Sequence, residues 1–158
     1  FEVPTLPQIV KDALKKSGLE GSRLELEITE TAFIRNRANA LKALHEIREM
    51  GVRIAIDDFG TGYSSLSNLK SFPFDKIKID KSFVAGIEDD EAARSIVRAI
   101  IGLGRSFNLP IVAEGVETQA QHQMVIDEGC PQAQGFYFGA PADDPYKPEE
   151  LTEKYRSA

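Results

Sequence analysis

The sequence predicts an α/β protein of parallel strands joined by helical crossovers, and within that class part of a TIM-type (β/α)8 barrel. Three observations carry this prediction. Strand-like and helix-like segments alternate along nearly the whole chain. The five strand-like segments are separated by helical stretches, an order that builds parallel sheets through right-handed βαβ units. Finally, four successive strands each place a charged residue at or near the C-terminal end, all with one parity. An open doubly wound sheet gathers its ligand residues at one switch point. A barrel draws them from the ends of several strands, so the third observation favours the barrel.

Each element has its own signal. Residues 7–17 read as a helix with Ile9, Val10, Ala13 and Leu14 on one face, ended by Ser17-Gly18. "LELEITE" (24–30) alternates with period two and reads as a strand. Residues 36–50 form a helix with an apolar stripe of Ala40, Leu41, Leu44 and Ile47, stopped by Gly51. "VRIAIDDF" (52–59) is a strand, followed by the loop "GTGYS" and a short helix near 64–71. "KIKID" (76–80) is a strand and residues 90–106 a helix rich in Ala, Ile and Leu. "PIVAEGV" (110–116) is a strand, 118–128 a helix ended by Gly129, and "AQGFYF" (133–138) a strand. A proline-containing tail with a helix near 148–156 closes the chain.

Bulk properties narrow the function. The chain has 158 residues, enough for one domain with a sizeable core. A net charge of -6 argues against a surface that coats a nucleic-acid polymer, but leaves room for a phosphate ligand bound through metal. Cys130 is the single cysteine, so neither an intrachain disulfide nor a thiolate zinc cluster can form. No apolar run approaches the roughly 20 residues of a membrane span. No membrane contact is expected from this segment, and the chain reads as cytoplasmic. It begins at Phe1 rather than Met, and reads as a piece of something longer.

Strand parity assembles a candidate centre. Leu24, Leu26, Ile28, Val52, Ile54, Ile56, Ile77, Ile79, Ile111 and Ala113 face the helices. The opposite face then carries Glu27, Asp57, Lys78 and Glu114 near the strand ends. Several buried carboxylates cannot all stay ionised without compensation. Lys78 supplies one cation, and divalent metal would supply the rest. All the candidate ligands are oxygen donors, which suits Mg²⁺ or Mn²⁺. His45 and His122 lie in helices and read as surface or packing residues. Two ions about 3.5–4 Å apart need a bridging carboxylate, which gives adjacent Asp57 and Asp58 a reason to coexist. The reaction best suited to such a centre is hydrolysis of a phosphate ester, with Lys78 holding water or neutralising transition-state charge. "GTGYS" is no phosphate-cradling Walker loop, because no Gly-Lys-Ser/Thr follows. It reads either as a plain turn or as a mobile loop that keeps the two aspartates in register.

These residues match a family. "LELEITE", "IDDFGTGYSSLSNLKSFPFDKIKIDKSFV", "IVAEGVET" and "QGFYFGAP", running in order from residue 24 to 141, closely resemble the EAL-domain cyclic di-GMP phosphodiesterases. The resemblance implies a (β/α)8-type barrel with one reversed strand. It also implies hydrolysis of cyclic di-GMP to linear pGpG with two Mg²⁺ or Mn²⁺ ions. Carried over by motif, Glu27 is a ligand of the first metal and Asp57 bridges both. Asp58 and Glu114 serve the second, and Lys78 and Glu114 act in catalysis near the water. Glu30 anchors the loop after Asp58. Gln134 and Pro141 line the nucleotide or water side. Glu117 is either an outer support or a solvated helix start capped by Thr118. Phe136 stands where many members have Tyr, and Gly139 where a small polar residue is frequent.

The Glu-Ala-Leu signature and the family's upstream Asn are absent from this chain. The whole chain, 1–158, therefore reads as a single incomplete EAL domain lacking its first three strands, set in a parent with other signalling domains that could include a membrane anchor. Two expectations follow: weak first-metal binding with little or no phosphodiesterase activity, and self-association as a homodimer or swapped assembly that covers open sheet edges. The competing reading is a non-catalytic module that binds cyclic di-GMP or a protein.

Overall fold

The structure, a computed structural model, describes residues 5–29, 32, 37–61 and 66–141. Five parallel strands form one sheet in chain order: β1 (Glu25–Thr29), β2 (Arg53–Phe59), β3 (Lys76–Ile79), β4 (Ile111–Ala113) and β5 (Gln132–Ala133). Every strand pairs with its sequence neighbour, the order found around a (β/α)8 barrel rather than across a doubly wound sheet. The helices are α1 (Leu6–Ser17), α2 (Arg37–Glu49), α3 (Leu66–Ser71), α4 (Lys81–Ala85), α5 (Glu91–Phe107) and α6 (Gln119–Asp127).

The helix-facing side of the sheet is the core. Ile54, Ile77 and Ile79 are fully buried there, and Ile47 of α2, Val97 and Ile101 of α5 and Val125 of α6 close over them. Asp75 ties the lower end together, accepting from the Ile54 amide at 3.0 Å and pairing with Arg48 of α2 at 3.0 Å. Helix α6 starts with a capping box: Thr118 accepts from the Gln121 amide at 3.0 Å, and the Gln121 side chain reaches back to the Thr118 amide.

Several expectations need correction. The buried side of α1 carries Pro7 and Val10, flanked by Leu6 and Leu14; Ile9 is 60% exposed and Ala13 is exposed. The contact with α2 thus follows an i, i+4, i+8 row, rotated from the face expected. The last strand is only two residues long instead of spanning 133–138. After Gln134 the chain turns, with the Phe138 amide on the Gly135 carbonyl, because the Tyr137 and Phe138 rings pack on His122 of α6. Strand β4 ends at Ala113, leaving Glu114 just beyond it. Helix α4 and the short 3-10 turn Gly21–Arg23 were not foreseen. Glu30, loop positions 62–65 and the helix expected near 148–156 lie outside the described residues.

Candidate metal centre

Lys78 is the hub of the inner face. Its side chain is 5% exposed, and Nζ lies 2.6 Å from Glu27 Oε1, 2.6 Å from Glu114 Oε1 and 3.4 Å from Asp57 Oδ1. The charged residues at four strand ends thus meet at one ammonium. Burial works against that charge, but hydrogen bonds to Glu114 and Glu27 outweigh it and hold Lys78 protonated well above the ordinary lysine range.

The two aspartates converge by a local irregularity. Neighbouring strand residues normally point to opposite faces. Between Ile56 and Phe59, however, the pairing of β2 with β3 slips, so that three steps on β2 match two on β3. Asp58 sits in this bulge with φ +53, a left-handed conformation uncommon outside glycine but tolerated by Asp. Ligand atoms of Asp57, Asp58 and Glu114 consequently all lie within 4.8 Å of one another.

The cluster holds more carboxylates than the Lys78 ammonium alone can neutralise. Burial, then the charge of Asp57, then contact with Asp80 push the Asp58 carboxyl up from its ordinary range. Burial also pushes Glu114 up; Lys78 pulls it back, and Asp57 adds to the rise. Asp57 Oδ1 is buried and takes no hydrogen bond. This oxygen, without a hydrogen bond but 3.4 Å from the Lys78 ammonium, and the two further carboxylates beside it form a hard donor set suited to Mg²⁺ or Mn²⁺.

The remaining candidates are placed as follows. Gln134 donates to Glu114 Oε1 at 2.5 Å, beside Lys78 on the same oxygen. Glu27 is half exposed and touches Lys78, but does not belong to the three-carboxylate cluster. The Glu117 side chain is exposed, while its amide donates to Gln121. Pro141 is exposed at the end of the described segment. His45 is exposed, and His122 packs tilted against the Tyr137 ring and edge-on against Phe138. The sequence reading gave no role to Asp80, whose carboxylate caps α4 through the Ser82 amide at 2.9 Å and touches Asp58. Its signal was Asp-Lys-Ser at a strand end, an N-cap pattern.

Comparison with known proteins settles the family. A family model described as the EAL domain matches residues 1–141. This chain belongs to the EAL domain family. An uncharacterized signaling protein of Caulobacter vibrioides is 55% identical over 139 residues, 88% of this chain but 17% of that protein. The solved MucR phosphodiesterase of Pseudomonas aeruginosa, in complex with c-di-GMP, superposes with a TM-score of 0.83 at 44% identity. That match covers 94% of this chain and 58% of the solved chain, and the aligned stretch is 19% of the whole MucR protein. BlrP1 of Klebsiella pneumoniae, solved with manganese and cyclic di-GMP, has a TM-score of 0.81 at 35% identity, covering 88% of this chain and 36% of its own. The described sheet is accordingly a sector of the EAL barrel. Among the described residues no helix is long and apolar enough to cross a membrane.

Proposed function

We propose that this EAL domain serves as a cyclic di-GMP phosphodiesterase that yields linear pGpG, and that the 158-residue chain by itself works slowly. The observation that carries the reading is the convergence of Asp57, Asp58 and Glu114 beside the buried Lys78. Family membership and the cyclic di-GMP complexes of MucR and BlrP1 support the substrate.

Asp57 would be shared by two ions, Asp58 and Glu114 would complete the second, and Glu27 with Asp57 would hold the first. Bound Mg²⁺ or Mn²⁺ would acidify a water and offset charge on the phosphoryl oxygens. Lys78 and Glu114 are the catalytic pair in this reading. The ammonium stays charged at neutral pH and orients both Glu27 and Glu114. Gln134 fixes the same Glu114 oxygen and, with Pro141, lines the substrate side. By the family's motif Glu30 would brace the loop after Asp58; Glu117 either supports the site from outside or is the solvated start of α6, whose cap is Thr118. The chain is slow in this reading because Glu27 and Asp57 are the two donors it assigns to the first ion, against Asp57, Asp58 and Glu114 for the second.

The test is Mn²⁺-dependent binding and turnover of cyclic di-GMP by this chain, with products separated chromatographically. Slow formation of linear pGpG that Glu114→Gln abolishes is expected. Absence of any Mn²⁺-dependent binding overturns the assignment, and turnover as fast as MucR overturns the impairment.

Residues 1–158 act, in this proposal, as one incomplete domain of a cytoplasmic signalling protein. Strands β1 and β5 each have a single partner among the described residues. Such edges template further pairing, so a homodimer or swapped assembly is expected. Sedimentation velocity over a wide concentration range tests it; a compact monomer throughout would sink the idea.

A further inference from the structure

Helix α4 follows β3 directly, and β3 lies between β2 and β4 in the sheet. The helix therefore stands between the loop after Asp58 and the turn after Glu114, and it touches both through glycines. Gly60, two residues beyond Asp58, has φ +102, and a Cβ there would lie 2.9 Å from Phe83 Cε2 and 3.2 Å from Ile100 Cδ1. Gly115, the residue after Glu114, has φ +69, and its Cβ would lie 2.5 Å from Lys81 Cβ. Any side chain at either position would push α4 against the neighbouring segment.

The helix itself is firmly seated. Asp80 fixes its first turn by accepting from the Ser82 amide and hydroxyl. Val84 and the following Ile87 are fully buried. The backbone around Glu114 is also held on both sides: the Glu114 amide donates to Ile79 of β3, and the Val116 amide to Gln134. A rigid five-residue element thus packs against Gly60, two residues after Asp58, and against Gly115, the residue after Glu114.

We propose that α4 is a spacer that sets the separation between the Asp57–Asp58 pair and Glu114, with Phe83 and Lys81 as positioning residues acting through Gly60 and Gly115. Metal sites tolerate little positional error in their ligands, so a spacer outside the donor set can govern affinity. Lys78 Nζ reports on the spacing without any metal, since it contacts Asp57 on one side and Glu114 on the other. The inference rests on the proposed metal site for only one of its two readouts.

The test compares Gly115→Asn, Lys81→Gly, the double variant and Phe83→Ala. Readouts are the Lys78 side-chain ammonium signal by NMR in the metal-free chain, and Mn²⁺ affinity by calorimetry. Asn tolerates the left-handed backbone, so Gly115→Asn tests the collision with Lys81. It is expected to shift the Lys78 signal and weaken Mn²⁺ about tenfold; Lys81→Gly alone, which removes the contact with Gly115, shifts the Lys78 signal in the opposite sense, and the double variant, in which the Asn side chain takes the space left by Lys81, restores both. Phe83→Ala, which only removes atoms, shifts the Lys78 signal from the Asp57 side and decides the matter if Gly115→Asn does not fold. An unchanged Lys78 signal in either folded variant overturns the spacer, as does a shift that Lys81→Gly fails to reverse. A wild-type chain that binds no Mn²⁺ overturns the metal reading alone, because the Lys78 signal still decides the spacer.

Discussion

Lys78→Met is expected to destabilise the metal-free chain by about 3 kcal/mol, the lower end of the 3–5 kcal/mol typical for breaking a buried ion pair. Methionine keeps the length and apolar stem but removes the cation. Glu27, Asp57 and Glu114 would then face one another with nothing between them. Glu27 is half exposed and screens its share by solvent, which is why the lower figure applies. In a chain of this size such a loss corresponds to a melting shift of roughly 6–12 °C. The pH dependence follows from the direction of the shifts. Lys78 is held above the ordinary lysine range, so its contribution is complete throughout neutral pH and is lost only as pH rises through its folded value. On the acid side the gap between wild type and variant narrows, because protonated carboxyls no longer need the ammonium. Glu114, pushed up by burial, is among the first to lose that need. Added Mn²⁺ would recover more stability in the variant than in wild type, since bound cation replaces the missing charge. Thermal melts at several pH values, with and without Mn²⁺, check all of this. A loss below about 1 kcal/mol, the scale of a surface pair, would show that the ammonium does not hold the cluster.

Lys78 was readable from the sequence because strand parity is a strict period-two rule. Once "LELEITE", "VRIAIDDF", "KIKID" and "PIVAEGV" are strands, Glu27, Asp57, Lys78 and Glu114 must share a face. The parallel order β1 to β5 was readable for a similar reason, since helical crossovers exclude hairpins. Parity fails at Asp58, where a regular strand would point the side chain away from the cluster. Only the bulge between Ile56 and Phe59 and the left-handed Asp58 bring it back. A register slip is a property of two strands together, so no window on one of them reveals it. The shortness of β5 has a comparable origin. "AQGFYF" has the aromatic content of a strand, but after Gln134 the chain turns and packs Tyr137 and Phe138 against His122. That contact depends on where α6 lies, which is a tertiary fact. Helix α4 was missed because its five residues are too few to show a helical period.

Asp57→Asn and Asp58→Asn are expected to part company in two measurements. Asp57 Oδ1 is buried without a hydrogen bond, and Asp57 lies between Lys78, Glu114 and Asp58. An amide there loses the central anionic donor, and Mn²⁺ affinity should fall about 100-fold or more, beyond the 10- to 100-fold of an outer-shell change. Asp58 belongs to one ion only in the proposed arrangement, so its loss should stay near tenfold. Metal-free stability separates the pair further. Burial, Asp57 and Asp80 hold the Asp58 carboxyl above its ordinary value. A carboxyl raised in the fold is favoured when protonated, and its ionisation costs stability as pH rises from the ordinary value through the folded one. Asn carries no such charge and accommodates φ +53 as readily as Asp. Asp58→Asn should therefore be more stable than wild type at neutral pH, with the advantage vanishing as pH falls below the carboxylate range. Asp57→Asn gains no comparable advantage, because it gives up the contact with Lys78. Calorimetric Mn²⁺ titration and melting curves across pH test both statements. A larger affinity loss for Asp58→Asn than for Asp57→Asn would make Asp58 the central ligand and remove the bridging role from Asp57.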